Sequence, residues 1–178
     1  AKDLPSPGKS LALRLESLGG SPRYSAILRY VDTDLGKQPE EHGLTVTRSL
    51  LDAETSLPVT EVKQGQLLKV RLSVSSPEPR AQIAVQDALP AGFEPIDTRL
   101  KTATQSADTD SDYVWNWREL HDERVTFFAD WLPAGTREAE YLVRATRSGH
   151  FVRPPARAEA MYDPAVWAFS TSQSQVIR

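Results

Sequence analysis

The 178-residue sequence has no cysteine, a single methionine and only three histidines. Without cysteine there can be no disulfide, thiolate metal site or cysteine nucleophile within it, and the redox compartment stays open. His42, His121 and His150 show no H-x-x-x-H or H-E-x-x-H spacing, so no metal is expected on them. The run His121-Asp122-Glu123 reads as a solvated turn, because adjacent turn residues point apart. No G-x-S-x-G elbow, G-x-G-x-x-G loop or P-loop occurs. Carboxylate pairs such as Glu40-Glu41 sit in polar surroundings that read as solvated surface. No catalytic function and no cofactor are expected. The net charge is only -3, and no basic stripe could neutralise a run of phosphates, which speaks against nucleic acid as a partner. No stretch approaches the roughly 18 uninterrupted apolar residues of a membrane helix, so direct membrane insertion is not expected. No signal peptide is read at the start, and Ala1 suggests a mature form or an excised fragment.

The sequence is rich in short alternating segments. Thirteen prolines and nine glycines lie dispersed among short apolar runs, which predicts an all-β fold, a two-sheet antiparallel β-sandwich with little helix. Leu68 to Val74 gives the cleanest alternation, with Leu68, Val70, Leu72 and Val74 facing in and Lys69, Arg71 and Ser73 facing out. Further strands are predicted at Leu44–Leu50, Ala81–Gln86 (ending at Asp87), Arg124–Phe128, Arg137–Thr146 and Gln173–Ile177. Tyr113–Trp117 is expected to pair with Arg124–Phe128 as a hairpin, with Tyr113, Trp115 and Trp117 on one face. Residues 103–112 read as a mobile loop. Leu11–Leu15 and Tyr24–Tyr30 read as a separate pair of strands, and the polar stretch Asp32–Gly43 as a linker. This divides the chain into residues 1–42 and a main sandwich over 43–178. The motif Leu89-Pro-Ala-Gly92 recurs as Leu132-Pro-Ala-Gly135, and both copies read as turns where strands leave a sheet.

The segment Ala158-Glu-Ala-Met-Tyr-Asp-Pro164 holds the only methionine. Asp163-Pro164 is expected to bar a helix or central strand immediately afterwards. Met161 and Tyr162 are then held where the backbone turns, either plugging one end of a core or presented to a partner surface.

Several runs together, Asp87 to Pro95, Arg124 to Gly135, Tyr141 to Phe151 and Glu159 to Pro164, resemble the C-terminal domain of bacterial alpha-2-macroglobulins across roughly Gly43 to Arg178. Residues 10–32 look like strands from the preceding CUB-like region, or strands packed onto the terminal domain. The resemblance implies a macroglobulin-like β-sandwich, the counterpart of the receptor-binding domain of the animal proteins. It implies a parent that is periplasmic, anchored to the inner membrane, and traps target proteases after bait cleavage. The implied partners are the neighbouring thioester and CUB-like domains, with proteases engaged through the full-length protein. In members with a thioester, the Met-Tyr part of this motif covers it, a role that falls here on Met161 and Tyr162 with Glu159, Asp163 and Pro164 as the supporting motif. Such a role suits the chemistry, since a thioester hydrolyses when water reaches it. Methionine fills irregular gaps, and tyrosine adds an aromatic plate. The competing reading is a stand-alone adhesion or carbohydrate-binding module using Trp115, Trp117, Trp131 and Trp167 as a stacking platform.

Overall fold

A computed structural model describes residues 38–97 and 113–178, with Glu16, Gly19, Gly20 and Arg23 besides. The expected strands at Leu11–Leu15 and Tyr24–Tyr30, and the expected loop at 103–112, lie outside the described residues. The chain divides into two compact units, Ala1–Asp32 and Thr33–Arg178, and the strands below belong to the second. No helix occurs among the described residues.

Two main sheets form the sandwich. The first has six strands, in the order β1 (Glu40–His42), β11 (Asp163–Phe169), β10 (Arg157–Ala160), β4 (Arg80–Ala88), β7 (Arg124–Leu132) and β6 (Trp117–His121). The second has four, in the order β2 (Thr45–Asp52), β3 (Leu67–Ser76), β8 (Gly135–Ala145) and β5 (Phe93–Ile96). A two-stranded pair, β9 (Gly149–Arg153) with β12 (Gln173–Ile177), accompanies them. Every pairing between these strands is antiparallel. Alternation builds the core: Leu68, Val70, Leu72 and Val74 of β3 join Ile83 and Val85 of β4 and Val125, Phe127 and Ala129 of β7 in one buried cluster. Burying such side chains at about 25 cal/mol per Å² is the main stabilising contribution.

The repeated Leu-Pro-Ala-Gly motif marks two equivalent crossings. Residues 89–92 carry the chain from β4 to β5, and 132–135 carry it from β7 to β8, each time from the six-stranded to the four-stranded sheet. Their glycines serve different ends. A Cβ on Gly92 would lie 2.6 Å from Phe151 Cε2 and 2.8 Å from Ile177 Cδ1, so space excludes a side chain there. Gly135 has open surroundings but a φ of +98° that an L side chain rarely adopts.

The structure corrects three expectations. Tyr113–Trp117 is not a strand: Tyr113 and Val114 form a turn and β6 starts only at Trp117, and the consecutive residues Val114 and Trp115 both pack on the core, which strand alternation would not allow. Lys69 does not face water; it is 8% exposed, with Nζ 3.4 Å from the buried Glu140 carboxylate. Asp163-Pro164 does not bar a strand, for β11 begins at Asp163. The register explains the last. Glu159 pairs with Trp167 but Ala160 with Asp163, so Pro164, Ala165 and Val166 bulge out of the β10 ladder. β1 pairs only with Trp167, Ala168 and Phe169. Pro164 therefore sits where neither neighbour needs its missing N–H. The end of the expected linker, Glu40–His42, is itself the edge strand β1.

Candidate functional site

Met161 and Tyr162 form the two-residue tip of the β10–β11 hairpin, between paired Ala160 and Asp163. They do not plug the core. Met161 is 48% exposed and Tyr162 82%, and Asp163, Pro164 and Ala165 are exposed after them. Two-residue hairpin turns that match strand twist usually need positive φ. Neither tip residue has it; the only described non-glycine residues that do are Ser56 (57°) and Gln82 (54°). The bulge at residues 164–166 lies directly after this turn, where it absorbs the mismatch in twist.

The tip is pinned at its backbone. The Met161 N–H donates to the Gln82 carbonyl at 2.9 Å, extending the β10–β4 ladder by one step. Gln82 is the left-handed residue of β4, and its side-chain amide donates to Asp130 Oδ1 of β7 at 3.4 Å. Asp163 Oδ1 accepts from the Ala165 N–H at 3.1 Å and stiffens the bulge. Glu159 pairs with Arg157 on the same strand. The five motif residues are thus gathered at one end of the six-stranded sheet by hydrogen bonds that leave the two large side chains free to meet another surface. Trp131, 57% exposed, lies at that same end, paired to Ala81 one residue before Gln82.

The four tryptophans make no platform. Trp115 turns inward, edge-on to Phe127 at 6.0 Å, and its Nε1–H donates to the Glu138 carbonyl at 2.8 Å. Trp117 instead stands 59% exposed on β6. Trp167 is four strands from Trp117 along one row (Trp117, Phe128, Ala84, Glu159, Trp167), about 19 Å at ordinary strand spacing, and stacks on His42 at 4.1 Å. Among the described residues no group of three or more His, Cys, Asp or Glu could hold a metal ion.

A second constellation lies inside the sandwich. Asp87, 1% exposed, does not end its strand at the surface but continues the inward phase of Ile83 and Val85. Its Oδ2 accepts from the Tyr141 hydroxyl at 2.7 Å and its Oδ1 from Arg48 Nη1 at 2.5 Å. Arg48 occupies an inward position of β2 between Val46 and Leu50, with 4% of its side chain exposed. Burial pushes the Asp87 carboxyl up from its ordinary value, against the pull of the Arg48 charge and the Tyr141 hydroxyl. Burial and the neighbouring carboxylate push the Tyr141 phenol well above its usual value. Arg153 on β9 is brought down to about 10, first by burial and then by the Arg48 charge. The sequence signal for this cluster is a charged residue in phase with inward apolar neighbours, Val46-x-Arg48-x-Leu50 and Ile83-x-Val85-x-Asp87.

Against known proteins, the model of the bacterial alpha-2-macroglobulin MG10 domain matches residues 43–165. The alpha-2-macroglobulin homolog of Yersinia pestis is 27% identical over 96% of this chain, which spans 9% of that protein. The circularly permutated Ras protein 2 of Dictyostelium discoideum is 29% identical over 96% of the chain, which spans 4% of it. The structure of Escherichia coli alpha-2-macroglobulin activated by porcine elastase shares the fold with a TM-score of 0.71 at 20% identity, covering 80% of this chain and 14% of that one. The chain therefore corresponds to a small fraction of the length of the relatives it matches.

Proposed function

Since the chain belongs to the bacterial alpha-2-macroglobulin MG10 domain family, we propose that it serves as a non-catalytic packing domain of a periplasmic protease-trapping chain, with Met161 and Tyr162 applied to a neighbouring domain. In a parent with a thioester, the pair shields that bond from water until bait cleavage. The observation that carries this reading is an exposed methionine and tyrosine on a hairpin tip whose backbone is fastened at Met161 N–H to Gln82. A large apolar pair in water on a rigid support suits a covering partner. The cover would be ordered before contact, so little conformational entropy is lost on docking. Periplasmic location and anchoring of the parent belong to the same proposal and draw on the family alone.

The test uses Met161→Ala with Tyr162→Ala, in the 178-residue chain and in the full parent. Melting of the chain should change by no more than the equivalent of about 0.5 kcal/mol, as exposed substitutions do. In the parent, methylamine should consume the thioester faster. Unchanged thiol release would retire the shielding role, and a large loss of stability in the isolated chain would make the pair structural.

A further inference from the structure

Two buried guanidiniums, Arg48 bonded to the Asp87 carboxylate and Arg153 within reach of its charge, border a cleft of about 500 Å³ whose walls also include Thr60, Ser174 and Gln175. Arg48 gives Nη1 to Asp87, but its Nε and Nη2 are buried with no acceptor among the described residues. Those two groups form the side-on edge of the guanidinium, the edge that grips a carboxylate or phosphate through parallel N–H bonds. Arg153, 8% exposed, gives Nη2 to Gln173 Oε1 and is left with Nε and Nη1 unpaired. Asp87 balances one of the two positive charges, and the other is held in a region of low dielectric. Arginine keeps its proton under such conditions, so the charge is not relieved by titration at neutral pH.

An oxyanion would supply both what the charge balance lacks and what the N–H groups lack, because each oxygen offers lone pairs along with negative charge. We propose that the cleft bordered by β2, β9 and β12 binds an oxyanion, a carboxylate or phosphate group, on Arg48 and Arg153. The unpaired nitrogens are sealed from solvent, and the exposed Gln173 side chain lies against Arg153. Gln173 is therefore the gate: the anion gains the guanidiniums as that amide turns aside.

The experiment melts the 178-residue chain in rising sodium phosphate, sodium acetate and sodium chloride at matched ionic strength. Phosphate or acetate should give a saturable rise of about 5 °C, as a ligand bound only by the native state does at high occupancy, and chloride none beyond the common salt response. Arg153→Gln should abolish the saturable part, and Gln173→Ala should shift it to lower anion concentration. Repeating the titration on the parent chain separates the sources. A retained response identifies a free anion, and a lost one identifies an acidic side chain of a neighbouring segment already in place. Equal rises in all three salts, or a saturable response that survives Arg153→Gln, would overturn the proposal. Should Arg153→Gln fail to fold, an unchanged midpoint in Gln173→Ala would do so.

Discussion

The hairpin tip and the Arg48–Asp87 cluster invert the usual partition of side chains in opposite directions. At the tip, Met161 and Tyr162 stand in water on a hairpin whose β10 strand is paired to β4 up to Met161 N–H. In the cluster, Arg48, Asp87 and Arg153 are taken out of water, and four guanidinium nitrogens are left without acceptors among the described residues. The two departures are not equally costly. Apolar atoms make up much of any protein surface, so an exposed methionine is tolerated by the fold. A buried N–H without an acceptor costs about 1–3 kcal/mol. Change at the tip should thus register in contacts with other surfaces, and change in the cluster in the stability of the sandwich itself.

The contrast breaks most readily at Asp87. Asp87→Ala removes the acceptor of both Arg48 Nη1 and Tyr141 and leaves two cations buried together. The expected loss is about 3–5 kcal/mol by urea unfolding, and a loss below about 1 kcal/mol would mean that the cluster is no more demanding than the tip. Tyr141→Phe keeps the ring against Phe127, 6.2 Å away, and deletes only the hydroxyl donated to Asp87. About 1–2 kcal/mol should go with it. Tyr162→Ala alone should stay within about 0.5 kcal/mol. Equal effects of the two tyrosines would erase the distinction between a tyrosine that holds the fold and one that faces outward.

Two aspartates sharpen the comparison through pH. Burial raises the folded pKa of Asp87, so its contribution to stability is fully present below its unfolded value and is lost as pH rises through the folded one. Asp52 is half-buried, and its pKa is lowered from 3.8, chiefly by the Thr55 N–H and then by the Gln66 amide and the Thr55 hydroxyl. Its contribution is present above 3.8 and is lost as pH falls through the lower folded value. Asp52→Asn should accordingly make the acid limb of the melting profile shallower below about pH 4 while leaving the limb set by Asp87 unchanged. An unaltered acid limb would show that the Thr55 turn holds its carboxylate no more firmly than water does.

The alternation of β3 was legible because each inward position from Leu68 to Val74 is apolar and each is buried. The same rule failed where an inward position is charged. Asp87 reads as the end of a strand, since no pattern of one strand reveals a partner on another. Lys69 misled for the same reason, its counter-charge being Glu140 on β8. β9 was hidden by its short length and by Pro154 and Pro155 beyond it, and it exists because β12 pairs with it over five residues. Pro164 looked like a barrier because its lack of an N–H matters only where a neighbouring strand seeks one, and the bulge removes that neighbour. For the candidate site, the sequence located the residues of the motif, but the fastening of Met161 to a left-handed Gln82 depends on β4, nearly eighty residues earlier in the chain. The assignment to the macroglobulin family rested on runs spread over several strands, and the match to residues 43–165 bears it out.

β1 gives the sandwich a mechanical property. Its three residues pair with Trp167, Ala168 and Phe169, with Glu40 opposite Phe169 at the end where the chain enters. Because β11 runs antiparallel and leaves the sheet at that same end, tension between the preceding chain and the segment after Phe169 falls on one rung at a time, like opening a zipper. The rungs at Glu40, Glu41 and His42 part in turn, with the stack of His42 on Trp167 as the last to yield. The hairpin tip lies at the opposite end of β11, beyond the bulge, and feels none of this load until the seam is open. A pull from upstream can therefore detach the incoming chain while the face carrying Met161 and Tyr162 keeps its shape.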